Sequence, residues 1–107
     1  MLRASRDVLY VGRSQRVVTP RQRRALEVRD QGHCAAPGCG VPALRCRAHH
    51  VVHWEQGGPT DLDNLLLVCD RHHHAVHEGG WGLAPTAGLQ PHEHGYYTWV
   101  PPARPRP

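Results

Sequence analysis

The chain has 107 residues, thirteen basic and nine acidic side chains, and a formal net charge of +4 with its ten histidines neutral. That length supports one small domain, and a modest core in a chain with no Phe and eleven glycines calls for a staple such as a metal. No run is apolar enough to span a bilayer and the opening residues lack the apolar stretch of a signal peptide, so no membrane partner is expected, the cytoplasm is the expected compartment, and the four cysteines are expected to hold metal rather than disulfides.

Residues 1–18 read as a basic, irregular arm. All thirteen basic residues are arginines, and eight of them lie between Arg3 and Arg29 against only Asp7 and Glu27. Guanidinium pairs bidentately with phosphate, so the arm suits a polyanion such as nucleic acid; the competing reading is a solvated charged face. "TPRQRRALEVRDQG" then predicts a helix, with Thr19 as N-cap, Pro20 at the first helical position, Gln22 completing a capping box and Gly32 as the stop. "CAAPGC" is a tight turn between Cys34 and Cys39. "ALRCRAHHVV" (43–52) reads as a strand, "EQGGPTDLD" as a loop, and "NLLLVC" (64–69) as a buried strand. "DRHHHAVHEGG" reads as a short helix capped by Asp70 and ended at Gly79–Gly80. "WGLAPTAGLQPHEHGYYTWV" suggests two short strands around a turn, and Trp54 and Trp81 are expected in the small core. The expected organisation is an arm (1–18), one α+β domain (19–100) and a Pro/Arg-rich tail (101–107).

Seven of the ten histidines fall in "CRAHHVVHW" (46–54) and "VCDRHHHAVHEGG" (68–80). Cys34 and Cys39 flank a turn, and Cys69 and His72 have C-x-x-H spacing at a strand-to-helix junction. Three thiolates and one imidazole suit a structural zinc, with Cys46 as an alternative fourth ligand in place of His72. A disulfide or unrelated buried thiols would be the plainer explanation. His73 and His77, four apart, share a helix face and can bind one ion together. His72 projects about 100° away from His73, which points to two sites back to back, one closed and structural, the other open. His49 and His50, at the end of the first strand, are candidates to complete the open site. His53 could approach the metal of the open site, but is expected to pack within its loop.

The pair His49–His50, Asn64 in "TDLDNLLLVC" and His73 in "CDRHH" together resemble the HNH endonuclease motif. The wider pattern, over about residues 12–85, resembles HNH domains at the C-terminal end of certain actinobacterial multidomain proteins. The resemblance implies a small zinc-stabilised ββα-metal fold, here preceded by an N-terminal helix. It implies that His49 is the first metal ligand, His50 the general base, Asn64 the residue that pins the loop and orients the base, and His73 and His77 the further ligands. Two departures stand out: His49 replaces the Asp of many members, and the zinc set needs His72 or Cys46 where many use cysteine throughout. The implied cofactors are structural Zn2+ and a catalytic divalent ion, Mg2+, Mn2+, Ni2+ or Zn2+. The expected activity is hydrolysis of nucleic-acid phosphodiesters, with DNA as the substrate and Arg47 or Arg71 as a candidate phosphate clamp. The alternative is a non-catalytic zinc module that binds nucleic acid. Such a module needs Cys34, Cys39, Cys69 and His72, but has no use for His49, His50, Asn64 and His77 together.

Overall fold

The computed structural model describes residues 8–103; the expectations for residues 1–7 of the arm and 104–107 of the tail lie outside the described residues. The elements are α1 (Pro20–Arg29), β1 (Arg47–His50), β2 (Leu65–Val68), α2 (Asp70–His77), β3 (Gly82–Pro85) and β4 (Tyr97–Val100), with single 3-10 turns at Ala43–Arg45, Trp54–Gln56 and Leu62–Asn64. This is the small mixed helix-and-strand architecture expected, with β1, β2 and α2 in ββα order. Among the described residues no helix is long and apolar enough to cross a membrane.

Local signals set α1. Thr19 Oγ1 accepts from the Gln22 backbone N–H at 3.1 Å, and Gln22 Oε1 accepts from the Thr19 N–H at 3.0 Å, a complete capping box. The helix ends at Asp30, where Gln31 (φ 59°) and Gly32 (φ 81°) turn left-handed. Its inner face presents Gln22, Leu26 and Arg29, three to four residues apart. Leu26 meets Leu62, Leu65, Leu66, Leu67 and Val68 in the core. Every residue of β2 is buried, as a continuous apolar run requires. Each of its leucines contributes about 1.5–3 kcal/mol by leaving water. β1 lies antiparallel to it, with Arg47 opposite Val68, His49 opposite Leu66 and His50 opposite Leu65.

Three details depart from the sequence reading. The strand expected from residue 43 begins at Arg47, because Ala43–Arg45 closes a 3-10 turn after Pro42. The N-cap of α2 is Cys69, and Asp70 is the first helical residue. The tryptophans are not core: Trp81 is 37% exposed, and Trp54 is half-buried with the Arg13 guanidinium 3.9 Å above its ring. Leucines fill the interior instead.

The charge reading missed Arg29. Its guanidinium is buried and donates to the carbonyls of Leu62 (3.3 Å), Leu65 (2.6 Å) and Pro91 (3.0 Å), and to Asp30 Oδ1 (3.1 Å). Asp30 Oδ2 in turn accepts from the Leu67 N–H at 3.1 Å. One arginine thus ties α1, the turn before β2, β2 itself and the C-terminal segment. Breaking a buried pair by removing one partner costs about 3–5 kcal/mol. Arg29→Ala should lose about that much in denaturant unfolding, whereas Arg21→Ala, on the exposed face, should stay within about 0.5 kcal/mol of the parent. Equal losses from the two would remove Arg29 from the framework.

Candidate functional site

The start of α2 brings together the first group of ligands. Cys34 Sγ stands 3.5 Å and Cys69 Sγ 3.4 Å from His72 Nδ1, and Cys39 Sγ stands 4.0 Å from Cys69 Sγ. The four ligand atoms all lie within 4.8 Å of one another. Zinc bonds of about 2.3 Å to sulfur and 2.0–2.1 Å to nitrogen place tetrahedral ligand atoms roughly 3.5–3.8 Å apart, so this group can hold zinc. Cys46 lies outside it: its thiol is directed at the carbonyls of Val41 (3.7 Å) and Pro42 (3.5 Å). Burial pushes the Cys34 thiol up to about 12. Burial also acts upward on Cys69, yet the His72 backbone N–H and neighbouring thiols hold it below the ordinary thiol value. Cys69 is the N-cap of α2, where helix amides favour thiolate. The Trp99 ring covers His72 edge-on, with centroids 5.7 Å apart.

The neighbouring face of α2 carries the second group. His73 and His77 stack with centroids 5.7 Å apart and planes 8° from parallel, as their four-residue spacing predicts. His49, from β1, meets His73 edge-on at 5.2 Å. His53 then meets both His49 (5.5 Å) and His77 (5.4 Å). The four rings close a circuit of imidazoles, and His53, expected to pack within its loop, is part of it. Their nitrogens are less gathered than the first group: among the described residues, only the Cys34 set has all its ligand atoms within 4.8 Å of one another. Burial, followed by the nearby His73, pushes His49 down to about 4. Burial first, then Arg47, lowers His73. Burial first, then Arg16, lowers His50. All three are neutral imidazoles at neutral pH, the form that offers a lone pair to a metal or a proton. A set of nitrogen donors like this fits a late divalent transition metal.

Asn64 holds the loop between β1 and β2. Its Oδ1 accepts from the Val52 N–H at 2.9 Å, and its Nδ2 donates to the carbonyls of Val52 (3.1 Å) and Pro59 (2.9 Å). Gly58 lies inside this clasp, where an added Cβ would stand 1.8 Å from the Val52 carbonyl oxygen. The contact with the His50 ring comes from elsewhere: Nε2 stands 2.9 Å from the Thr60 hydroxyl. Sequence reading gave Thr60 no role and expected His53 to pack within its loop. The H-H-x-x-H spacing was the only signal for His53, and none existed for a hydroxyl ten residues beyond His50.

His50 and Arg16 line two clefts. One, of about 160 Å³, also includes His49, His53, Glu55 and His73. The other, of about 660 Å³, runs past Thr19, Arg23, Cys46 and Arg47. The arginines divide by task. Arg13 donates to the carbonyls of Trp54 (2.7 Å) and Gly58 (3.1 Å), so it straps the loop. Arg16 is exposed, 3.6 Å from the exposed Glu55. Arg47 pairs with Asp70 at 2.7 Å. Arg21 and Arg24 lie beside Val8, Leu9 and Val28, a surface whose lining residues are all absent from both clefts.

Residues 32–79 match the family model described as HNH endonuclease. The chain is similar to an uncharacterized protein of Mycobacterium tuberculosis strain H37Rv, 39% identical over 89 residues, covering 83% of this chain and 18% of that protein. It is also similar to an uncharacterized protein of the CDC 1551 strain, 43% identical over 68 residues, covering 64% of this chain and 16% of the relative. An uncharacterized protein of Mycobacterium bovis is 36% identical over 89 residues, covering 83% and 18%. The chain therefore spans under a fifth of the length of these relatives. No solved structure matches it.

Proposed function

Residues 32–79 of the chain are an HNH domain, and on that premise we propose that the protein is a metal-dependent endonuclease that hydrolyses DNA phosphodiester bonds with His50 as general base. An HNH domain points to a nuclease or a nucleic-acid-binding protein. The observation that favours cutting is a neutral imidazole at the meeting of two clefts, beside a circuit of further imidazoles and an exposed arginine.

In this reading His49, His73 and His77 would hold the catalytic ion, and His53 stands against His49 and His77. A bound ion would supply charge stabilisation for the phosphate and its leaving oxygen. His50 takes the proton from the attacking water. Arg16, which lines both clefts with His50, pairs with the phosphate. Asn64 holds the loop that carries His53, and Cys34, Cys39, Cys69 and His72 hold zinc that fixes the start of α2. Imidazole donors favour Ni2+ or Zn2+ over Mg2+. We assign the nuclease domain to residues 19–100, with a basic arm before it and a tail after it. Residues 10–12 of that arm are joined to the loop by the Tyr10–Asp61 bridge and by Thr60–Gly12 and Val11–Thr60 hydrogen bonds.

Supercoiled plasmid should be nicked when a transition metal is added to the zinc-loaded protein, less with Mg2+, and not in EDTA. Binding without cutting under every metal would favour the non-catalytic zinc module instead. The arginine assignment has its own check. B-DNA affinity falls with log salt at about 0.9 per neutralised phosphate, so Arg16→Gln should reduce that slope by about 1. The pair Arg21→Gln and Arg24→Gln should leave it unchanged; the reverse pattern would move the DNA to the other face of α1.

A further inference from the structure

The Thr60 side chain is 0% exposed, and its backbone is pinned on both sides. Its N–H donates to the Gly12 carbonyl at 2.8 Å, and its carbonyl accepts from Gln22 Nε2 at 2.8 Å and from the Val11 N–H at 3.3 Å. The hydroxyl oxygen is thereby set 3.2 Å from the Arg16 carbonyl oxygen and 2.9 Å from His50 Nε2. A hydroxyl has one proton to give, and a carbonyl oxygen can only accept. The proton therefore goes to Arg16. Were it spent on the imidazole instead, the oxygen of the fully buried Thr60 would face the Arg16 carbonyl oxygen lone pair to lone pair. With its proton so committed, the Thr60 oxygen can only accept from His50, and Nε2 must carry the hydrogen. A neutral imidazole holds one N–H, so the lone pair is left on Nδ1.

We propose that Thr60 is a positioning residue that fixes His50 in the Nε2–H tautomer, so that Nδ1 is the nitrogen that receives a proton. The proposal rests on the reading of His50 as general base and names the atom that does the work. It also links the two sides of the cleft, because the same hydroxyl joins the backbone of Arg16 to the His50 ring. A freely turning imidazole would present the wrong nitrogen part of the time. A ring held by a buried, doubly engaged hydroxyl presents one.

The direct test is 15N-resolved NMR of the His50 ring in the zinc-loaded full chain at a pH where the ring is neutral. The expected result is a single tautomer with an Nε2-bound proton protected from exchange. An Nδ1–H ring, or an even mixture, overturns the proposal, and this readout needs no cleavage to occur. The supporting variants are Thr60→Val and Thr60→Ser. Thr60→Val should lose the protected Nε2 proton and reduce the cleavage rate on the order of 10- to 100-fold, the range for losing an orienting partner, with DNA and metal affinity unchanged. Thr60→Ser should restore both the proton signal and the rate. A Thr60→Val protein with the wild-type ring spectrum and rate also overturns the proposal. Absence of cleavage in wild-type protein with the expected tautomer would instead overturn only the nuclease reading beneath it.

Discussion

Removing the metal from Cys34, Cys39, Cys69 and His72 should unfold the protein. These four residues join the 34–39 turn, the end of β2 and the first turn of α2. Among the described residues the apolar interior they brace is small: eleven buried residues, two of them the ligand cysteines Cys34 and Cys69. Structural zinc contributes apparent free energies of about 10–16 kcal/mol in zinc-finger peptides, comparable to the whole stability of a domain, about 5–15 kcal/mol. A strong chelator should therefore abolish the helical circular dichroism signal, and Zn2+ but not Mg2+ should restore it. Cys34→Ser should behave like chelation, whereas Cys46→Ser should retain one zinc, because that thiol lies outside the group. The Cys34 thiol is raised to about 12 by burial, and zinc takes the thiolate, so binding must release protons and affinity should rise with pH. A protein that keeps its native spectrum after verified zinc removal would contradict the structural role.

The second large effect separates base from ligand. His50→Ala should lose on the order of 100- to 10,000-fold in cleavage rate yet still bind the divalent ion through His49, His73 and His77. His73→Ala should lose both cleavage and tight binding of the ion, since the ion would keep too few protein ligands and His49 would lose the α2 ring it meets directly. The pH dependence has a defined sign. His50 and His73 are held below the ordinary histidine value of about 6.5, so both stay neutral as pH falls to that point. The rate should be retained through pH 6.5 and fall only below it, as the rings protonate. A falling limb centred above pH 7, or a fully active His50→Ala protein, would remove His50 from the role.

The features legible in the sequence are those whose physics is local or periodic. Thr19 and Gln22 are three residues apart, so the capping box could be read and is present. C-x-x-H at a strand-to-helix junction placed Cys69 and His72 together, and the i, i+4 rule placed His73 over His77. What stayed hidden is long-range and polar. Arg29 looked like one more charge in a basic run, yet its partners at Leu62, Leu65 and Pro91 are 33, 36 and 62 residues away. Arg13 likewise straps a loop 41 to 45 residues on. Thr60 reads as a turn residue in "GGPTDLD"; its hydroxyl matters because the arm folds back and brings the Arg16 carbonyl to it. Trp54 and Trp81 are expected inside the small core, but the buried leucines of β2 fill the interior instead.

We propose that α2 serves two different metals, one that holds the fold and one that supports hydrolysis. Metal titration into zinc-loaded protein, with bound metal, circular dichroism and plasmid nicking followed together, tests it most directly. The first equivalent of zinc should be retained throughout and the spectrum should stay constant. Nicking should rise in proportion to a second, more weakly held ion, and EDTA too mild to extract the zinc should abolish it. Full nicking with a single bound metal per chain, or nicking that persists once the weak ion is gone, would contradict it.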